Sequence, residues 1–153
     1  MTLSAHAFRR SLSIMGAALL AACTGAAQAA PYVMFRDPGC GCCKDWAAHA
    51  REGLQHEVQV REDAPMGAVK ARLGVPADLA SCHTTVIEGY VIEGHVPARE
   101  IKRLLRERPA GVKGLAVAGM PLGSPGMEAG GRVQPYEVIA FGDGGRKVFA
   151  RYP

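Results

Sequence analysis

Past its first thirty residues the chain has no apolar run approaching the roughly 18 residues of a membrane span. The body of the sequence therefore gives no argument for a transmembrane helix. Charge of one sign is also lacking: 18 Lys and Arg stand against 14 Asp and Glu among 153 residues. Without Arg9 and Arg10, and with no acid lost beside them, the remainder holds 16 basic residues against 14 acidic, about +2, which gives no nucleic-acid argument. No internal repeat is present. A second separated C-x₂₋₄-C pair, usual in structural zinc knuckles, is missing, and the cysteine spacing fits none of the usual iron–sulfur runs.

What is present begins with an export signal. Arg9 and Arg10 form a basic start, Leu12 to Ala22 an apolar core, and Ala27-Gln28-Ala29 a small-x-small cleavage site. Residues 1–30 read as a signal peptide and residues 31–153 as a single domain, of a length that supports an ordinary core. The expected location is periplasmic. Leu20-Ala21-Ala22-Cys23 offers the alternative of a lipobox, in which a lipidated Cys23 anchors the protein.

Three of the five cysteines occupy four positions in Cys40-Gly41-Cys42-Cys43, directly after the β-rich run Tyr32 to Phe35. Cys40 and Cys43 have the C-x-x-C spacing of thiol–disulfide enzymes, and Cys40 and Cys42 the C-x-C spacing of many thiolate metal sites. If the next segment is a helix, its free N–H groups and positive dipole end favour thiolate, which is both nucleophile and ligand. Adjacent Cys42 and Cys43 argue against a framework of two structural bridges.

A helix is predicted from Lys44 to Leu54, a strand around Val58 and Val60, and a second helix from Pro65 to Leu73. Thr84 to Ile87 and Tyr90 to Ile92 form a hairpin about Glu88-Gly89, and Pro97 opens a helix whose Ile101, Leu104 and Leu105 share a face. The order βαβ-α-ββα is that of a thioredoxin-like α/β domain. From Gly111 onward a Gly/Pro/Met-rich loop precedes a C-terminal β-hairpin, Tyr136 to Phe141 with Lys147 to Tyr152.

In such a fold Cys82, just before the third strand, faces the cluster and brings four thiols together. Gly39-Cys40-Gly41-Cys42-Cys43, Ser81-Cys82-His83-Thr84, Glu93-Gly94-His95-Val96-Pro97 and Gly119-Met120-Pro121 through Gly126-Met127-Glu128 resemble the CopG-type periplasmic copper-resistance proteins. The resemblance implies a thioredoxin-like fold that binds copper through cysteines mapping onto Cys40, Cys42, Cys43 and Cys82, and acts in copper redox or sequestration.

The residue chemistry points to the same metal. Clustered thiolates with imidazole and thioether neighbours suit Cu(I), and bridging thiolates can hold several ions in one cluster. The candidate ligands are Cys40, Cys42, Cys43, Cys82 and His83, followed by His95, Met120 and Met127. Zinc is the alternative metal. Met34 and Met66 fit core positions, Trp46 is expected beneath the cluster, and Lys44 and Asp45 are expected as a solvated pair. His49 is expected to face solvent, and His56 shows no partner.

Three functions fit this set of residues. The first is a copper-binding protein of copper resistance and homeostasis with copper/thiol redox activity, whose partners are copper ions and other periplasmic copper-handling proteins. The second is a thiol–disulfide oxidoreductase with Cys40 as nucleophile and Cys43 as resolving thiol. The third is a zinc-stabilised binding module. On processing, cleavage near Ala29 or Ala30 is the expected outcome, and intact-mass measurement of the exported protein checks it. A species beginning at acylated Cys23 would overturn it.

Overall fold

The computed structural model describes residues 30–153; the expected leader and Cys23 lie outside them. Period-two alternation in β1 (Tyr32–Arg36) turns Tyr32, Met34 and Arg36 to one face, where all three are buried. Helix α1 (Gly41–Leu54) follows, then β2 (Val58–Arg61), α2 (Met66–Arg72) and a short 3₁₀ turn at Ala77–Leu79. Next come β3 (His83–Ile87), β4 (Tyr90–Glu93) and α3 (Ala98–Glu107). The chain closes with β5 (Val112–Ala116), β6 (Tyr136–Gly142) and β7 (Gly145–Tyr152). This is a mixed α/β fold.

The seven strands form one sheet in the order β2-β1-β3-β4-β5-β6-β7. β1 is parallel to β2 and antiparallel to β3, and β4 is parallel to β5; the remaining neighbours are antiparallel. The main core joins Trp46, Ala47 and Ala50 of α1 and Ile101 and Leu104 of α3 to Met34, Ile87, Ile92, Leu115 and Val138 of the sheet. A smaller cluster contains Leu79, Val91, Ala116 and Phe141. In α3 the spacing of Ile101 and Leu104 places both on the inner face, where burying each contributes about 2 kcal/mol. Met34 and Met66 are buried, as their apolar positions suggested.

Two elements depart from the sequence reading. Helix α1 starts at Gly41 rather than Lys44, with Cys40 as its N-cap in extended conformation. Cys42 and Cys43 therefore belong to the first helical turn. Strand β5 was not anticipated, because it is short and interrupted by Gly114 in a glycine-rich stretch. That glycine is required: a Cβ there would lie 2.0 Å from the Val91 carbonyl oxygen and 2.8 Å from the Phe141 ring. β5 joins the terminal hairpin to the sheet, giving β6 a partner on each side.

Gly114→Ala should therefore lower unfolding stability by about 2 to 3 kcal/mol, because neither the Val91 backbone nor the Phe141 ring can yield freely. Urea unfolding midpoints of the two proteins check this.

Candidate metal centre

Antiparallel pairing sets Arg36, the last residue of β1, opposite His83, the first of β3. The loop leaving β1 and the loop entering β3 consequently meet at one end of the sheet. Buried Arg36 holds the first loop by donating from its guanidinium to the carbonyls of Cys40 at 2.8 Å and Asp37 at 3.4 Å, while it also pairs with Glu62. Four sulfurs result from this meeting. The Sγ atoms of Cys40, Cys42, Cys43 and Cys82 all lie within 4.8 Å of one another.

Cys40 and Cys43 are joined as a disulfide with Cα atoms 5.4 Å apart, and Cys42 and Cys82 are free thiols. Two structural bridges are thus absent among the described residues, but one bridge of the C-x-x-C type is present. Cys42 Sγ stands 3.5 Å from Cys40 Sγ and 4.0 Å from Cys82 Sγ, so it sits between the bridge and the far loop. Cys43 is buried in the core and Cys40 is half-buried. Within the bridge, Cys40 is the sulfur that a thiol from solution can reach.

The loop before β3 is fixed from behind by Glu93. This carboxylate, with no exposure, accepts from the Ser81 backbone N–H at 2.6 Å, from the Lys70 ammonium at 2.5 Å, and from the Thr84 hydroxyl at 2.6 Å. Lys70 also donates to Thr84 Oγ1 at 3.0 Å. A buried carboxylate with three such donors is anchored, and Ser81 with it. Cys82 is next in the chain.

Both histidines named beside the cysteines reach Cys82. His95 Nδ1 lies 2.8 Å from the Pro125 carbonyl oxygen, which only accepts, so Nδ1 carries the proton and Nε2 is the bare nitrogen. That Nε2 stands 3.1 Å from Cys82 Sγ, where the thiol donates to it. His83 Nδ1 lies 3.3 Å from the same sulfur, and its Nε2 is buried with no partner. Cys82, His83 and His95 thus form a second ligand-capable group sharing one sulfur with the first.

Burial decides the protonation of this group. It pushes the Cys82 thiol up to about 12, assisted by the neighbouring Cys42. Burial also pushes His83 well below its ordinary value, with the charges of His95 and Lys70 acting the same way, and lowers His95. At neutral pH the group is a thiol between two neutral imidazoles. A metal must displace the proton of Cys82.

The Gly/Pro/Met-rich loop closes over α1. Gly126, at φ +81°, packs so tightly that a Cβ would lie 2.6 Å from the Trp46 nitrogen and 2.7 Å from the Cys42 carbonyl oxygen. Met127 follows that contact and is half-buried, while Met120 is 51% exposed on the segment that Gly119 ties to Ala80 and Ser81. Trp46 is fully buried, donates its indole N–H to Val96 at 3.0 Å, and lies with its ring centroid 4.5 Å from that of His83.

Among the other residues singled out, Lys44 and Asp45 are exposed and form no ion pair with each other. His49 does not simply face solvent: its Nε2 accepts the Ala98 N–H at 3.2 Å and caps α3. His56 stacks on Tyr32 with ring centroids 3.8 Å apart, a partner that sequence reading missed. Glu93 and Lys70 were also missed as positioning groups. The available signal was an acid closing the apolar strand run Tyr90-Val91-Ile92, where a buried charge demands a partner.

Comparison with known proteins matches residues 79–127 to the family model "Protein of unknown function, DUF411". No curated protein is matched. Two solved structures are similar over most of the chain. "Copper resistance protein copG- Form 1" shares 48% identity with a TM-score of 0.74, covering 80% of this chain and 97% of the other. "Copper resistance protein copG- Form 2" shares 47% identity with a TM-score of 0.74, covering 81% of this chain and 100% of the other.

The depressed histidines carry a pH dependence. Below the unfolded value near 6.5 the unfolded chain binds protons that folded His83 and His95 do not, so stability falls as pH drops through and below that value. Denaturant midpoints measured at about pH 8, 6.5 and 5 should decline in that order, and His83→Gln should make the decline shallower.

Proposed function

Because the chain belongs to the family of the copper resistance protein copG, we propose that it binds copper as Cu(I) in the periplasm and thereby serves copper resistance. One observation carries this reading: four cysteine sulfurs from two distant segments lie within 4.8 Å, and Cys82 is shared with two buried imidazoles. Thiolate-rich sets suit Cu(I), whose filled d shell imposes little geometry and accepts two or three sulfurs. We read the elements from β1 to α3 as a thioredoxin-like unit, on the support of their order and of the C-x-x-C pair at the head of α1.

Cys40, Cys42, Cys43 and Cys82 would hold the ion or ions, with His83 and His95 available on the Cys82 side. Cys42 is placed to bridge, since it is flanked by Cys40 and Cys82 sulfurs. His95 is oriented by Pro125, so its bare nitrogen stays aimed at the shared sulfur. Met120, exposed on the covering loop, suits the first capture of a soft ion, and Met127 lies deeper in the same loop. Export from the cytoplasm rests on the leader read in residues 1–30.

The disulfide favours a second, linked reading. With Cys40 bonded to Cys43 only two thiols remain, whereas two-electron reduction restores four. Copper binding and thiol chemistry are then one equilibrium. Two Cu(I) ions reducing the bridge become two Cu(II), and a dithiol donor reducing it leaves Cu(I) as the ion to be bound.

Cys42→Ser with Cys82→Ser should lower the Cu(I) affinity of the reduced protein at least tenfold, about 1.4 kcal/mol, and leave the Cys40–Cys43 pair able to form its disulfide. Competition against chelators of known affinity, with Zn(II) titrated in parallel, checks this. Wild type should prefer Cu(I) and release protons on binding, so its apparent affinity should rise with pH. Zinc retained against excess Cu(I) would instead favour the structural-module reading.

A further inference from the structure

A cavity of about 480 Å³ opens between α1 and β2, lined by Arg36, Lys44, Ala47, Arg51, Val60 and Glu62. Three of these side chains are cationic and one is anionic. Glu62 is engaged by Arg36, and Arg51 reaches Glu57 and the Val58 carbonyl. Lys44 is exposed and has no ion-pair partner among the described residues. Asp45, the next residue, does not line the cavity, because one helical step turns it about 100° away. The floor of Ala47 and Val60 is apolar. The lining of this groove is net positive and its unpaired charge is the Lys44 ammonium, which suits an acidic segment.

Its position gives that segment a task. Arg36 lines the groove and donates to the Cys40 carbonyl at 2.8 Å, and Lys44 stands one helical turn after Cys40. Cys40 is the accessible half of the disulfide, since Cys43 has no exposure. A chain seated in the groove therefore lies one helical turn from the residue whose sulfur a thiol can attack.

We propose that the groove docks a protein dithiol donor whose cysteine pair is flanked by Asp and Glu residues. The proposal rests on the reading that the Cys40–Cys43 bridge is opened by thiol exchange. A donor thiolate attacks Cys40 Sγ, the Cys40–Cys43 bond breaks, and Cys43 leaves as a thiolate that takes a proton from water. The donor's second thiolate then attacks its own half of the mixed disulfide and releases Cys40 as a thiolate. Two electrons have passed to this protein, the donor carries a disulfide, and the four-thiol set is complete.

Two synthetic dithiol peptides, with one C-x-x-C core and either acidic or lysine flanks, test this on the oxidised full-length protein. Reduction is followed by thiol counting, and each rate is divided by the same protein's rate with uncharged dithiothreitol. The acidic peptide should be faster by about tenfold at low ionic strength, with the ratio shrinking as salt is added. Lys44→Glu should lower that ratio by about fivefold, and Glu62→Gln should raise it. Equal rates for the two peptides, or a ratio untouched by both substitutions, would overturn the docking site while leaving thiol exchange intact. If dithiothreitol opens the bridge but neither peptide does, exchange with a protein donor is itself overturned, and the docking site falls with it.

Discussion

The antiparallel register of Arg36 against His83 governs the whole centre. Because β1 ends where β3 begins, the C-x-C-C loop and the Cys82 loop leave the same end of the sheet, and no separate device is needed to bring them together. The pairing also explains why β1 needs a buried arginine at its last position. The Cys40 carbonyl, at the helix N-cap, accepts the first bond of α1, and the Arg36 guanidinium donates to the same oxygen, tying the start of the helix to the end of the strand. Alternation along β3 then separates two tasks. His83 turns toward Trp46 of α1, whereas Thr84 turns toward Lys70 of α2 and Glu93 of β4.

That second face holds a costly arrangement. Burying the Glu93 carboxylate forfeits several kcal/mol of hydration, and apolar residues of similar volume could match or exceed its stability. What an apolar replacement could not do is accept the Ser81 N–H. Specific acceptance at that point sets the backbone on which Cys82 is carried, so the charge is spent on position. The covering loop acts similarly on the other side. Gly126 lets its backbone approach the first turn of α1, and the preceding carbonyl at Pro125 is thereby brought to His95.

Much of this was legible in the sequence, for identifiable reasons. Local signals were strong where apolar periodicity and turn residues agreed, as in α3 after Pro97 and in the hairpin about Glu88-Gly89. The convergence of Cys82 on the cluster followed from giving the element order a thioredoxin-like arrangement. Strand β5 was not legible, because its conformation depends on strands on both sides and its central glycine reads locally as a breaker. The start of α1 was missed because a cysteine N-cap makes no side-chain capping bond to signal it. The roles of His49, His56, Glu93 and Pro125 are tertiary in origin: each partner is a group brought near by folding. The cysteine spacing admitted a C-x-x-C bridge but did not require one.

Charge balance completes the chemistry of the centre. As folded, the Cys82 group is uncharged, a thiol between neutral imidazoles, and a disulfide adds no charge. Reduction followed by ionisation would place four negative charges in a space where burial already opposes one. If the ions are Cu(I), as proposed, each would cancel one of them, and each sulfur placed to bridge, Cys42 above all, would let neighbouring ions share a ligand. A single ion would leave most of the thiolate charge uncompensated or the thiols protonated. On the proposed reading, the same electrostatics that keep the empty site neutral would favour its filling by several Cu(I) ions together, with proton release proportional to the number of thiols drawn in.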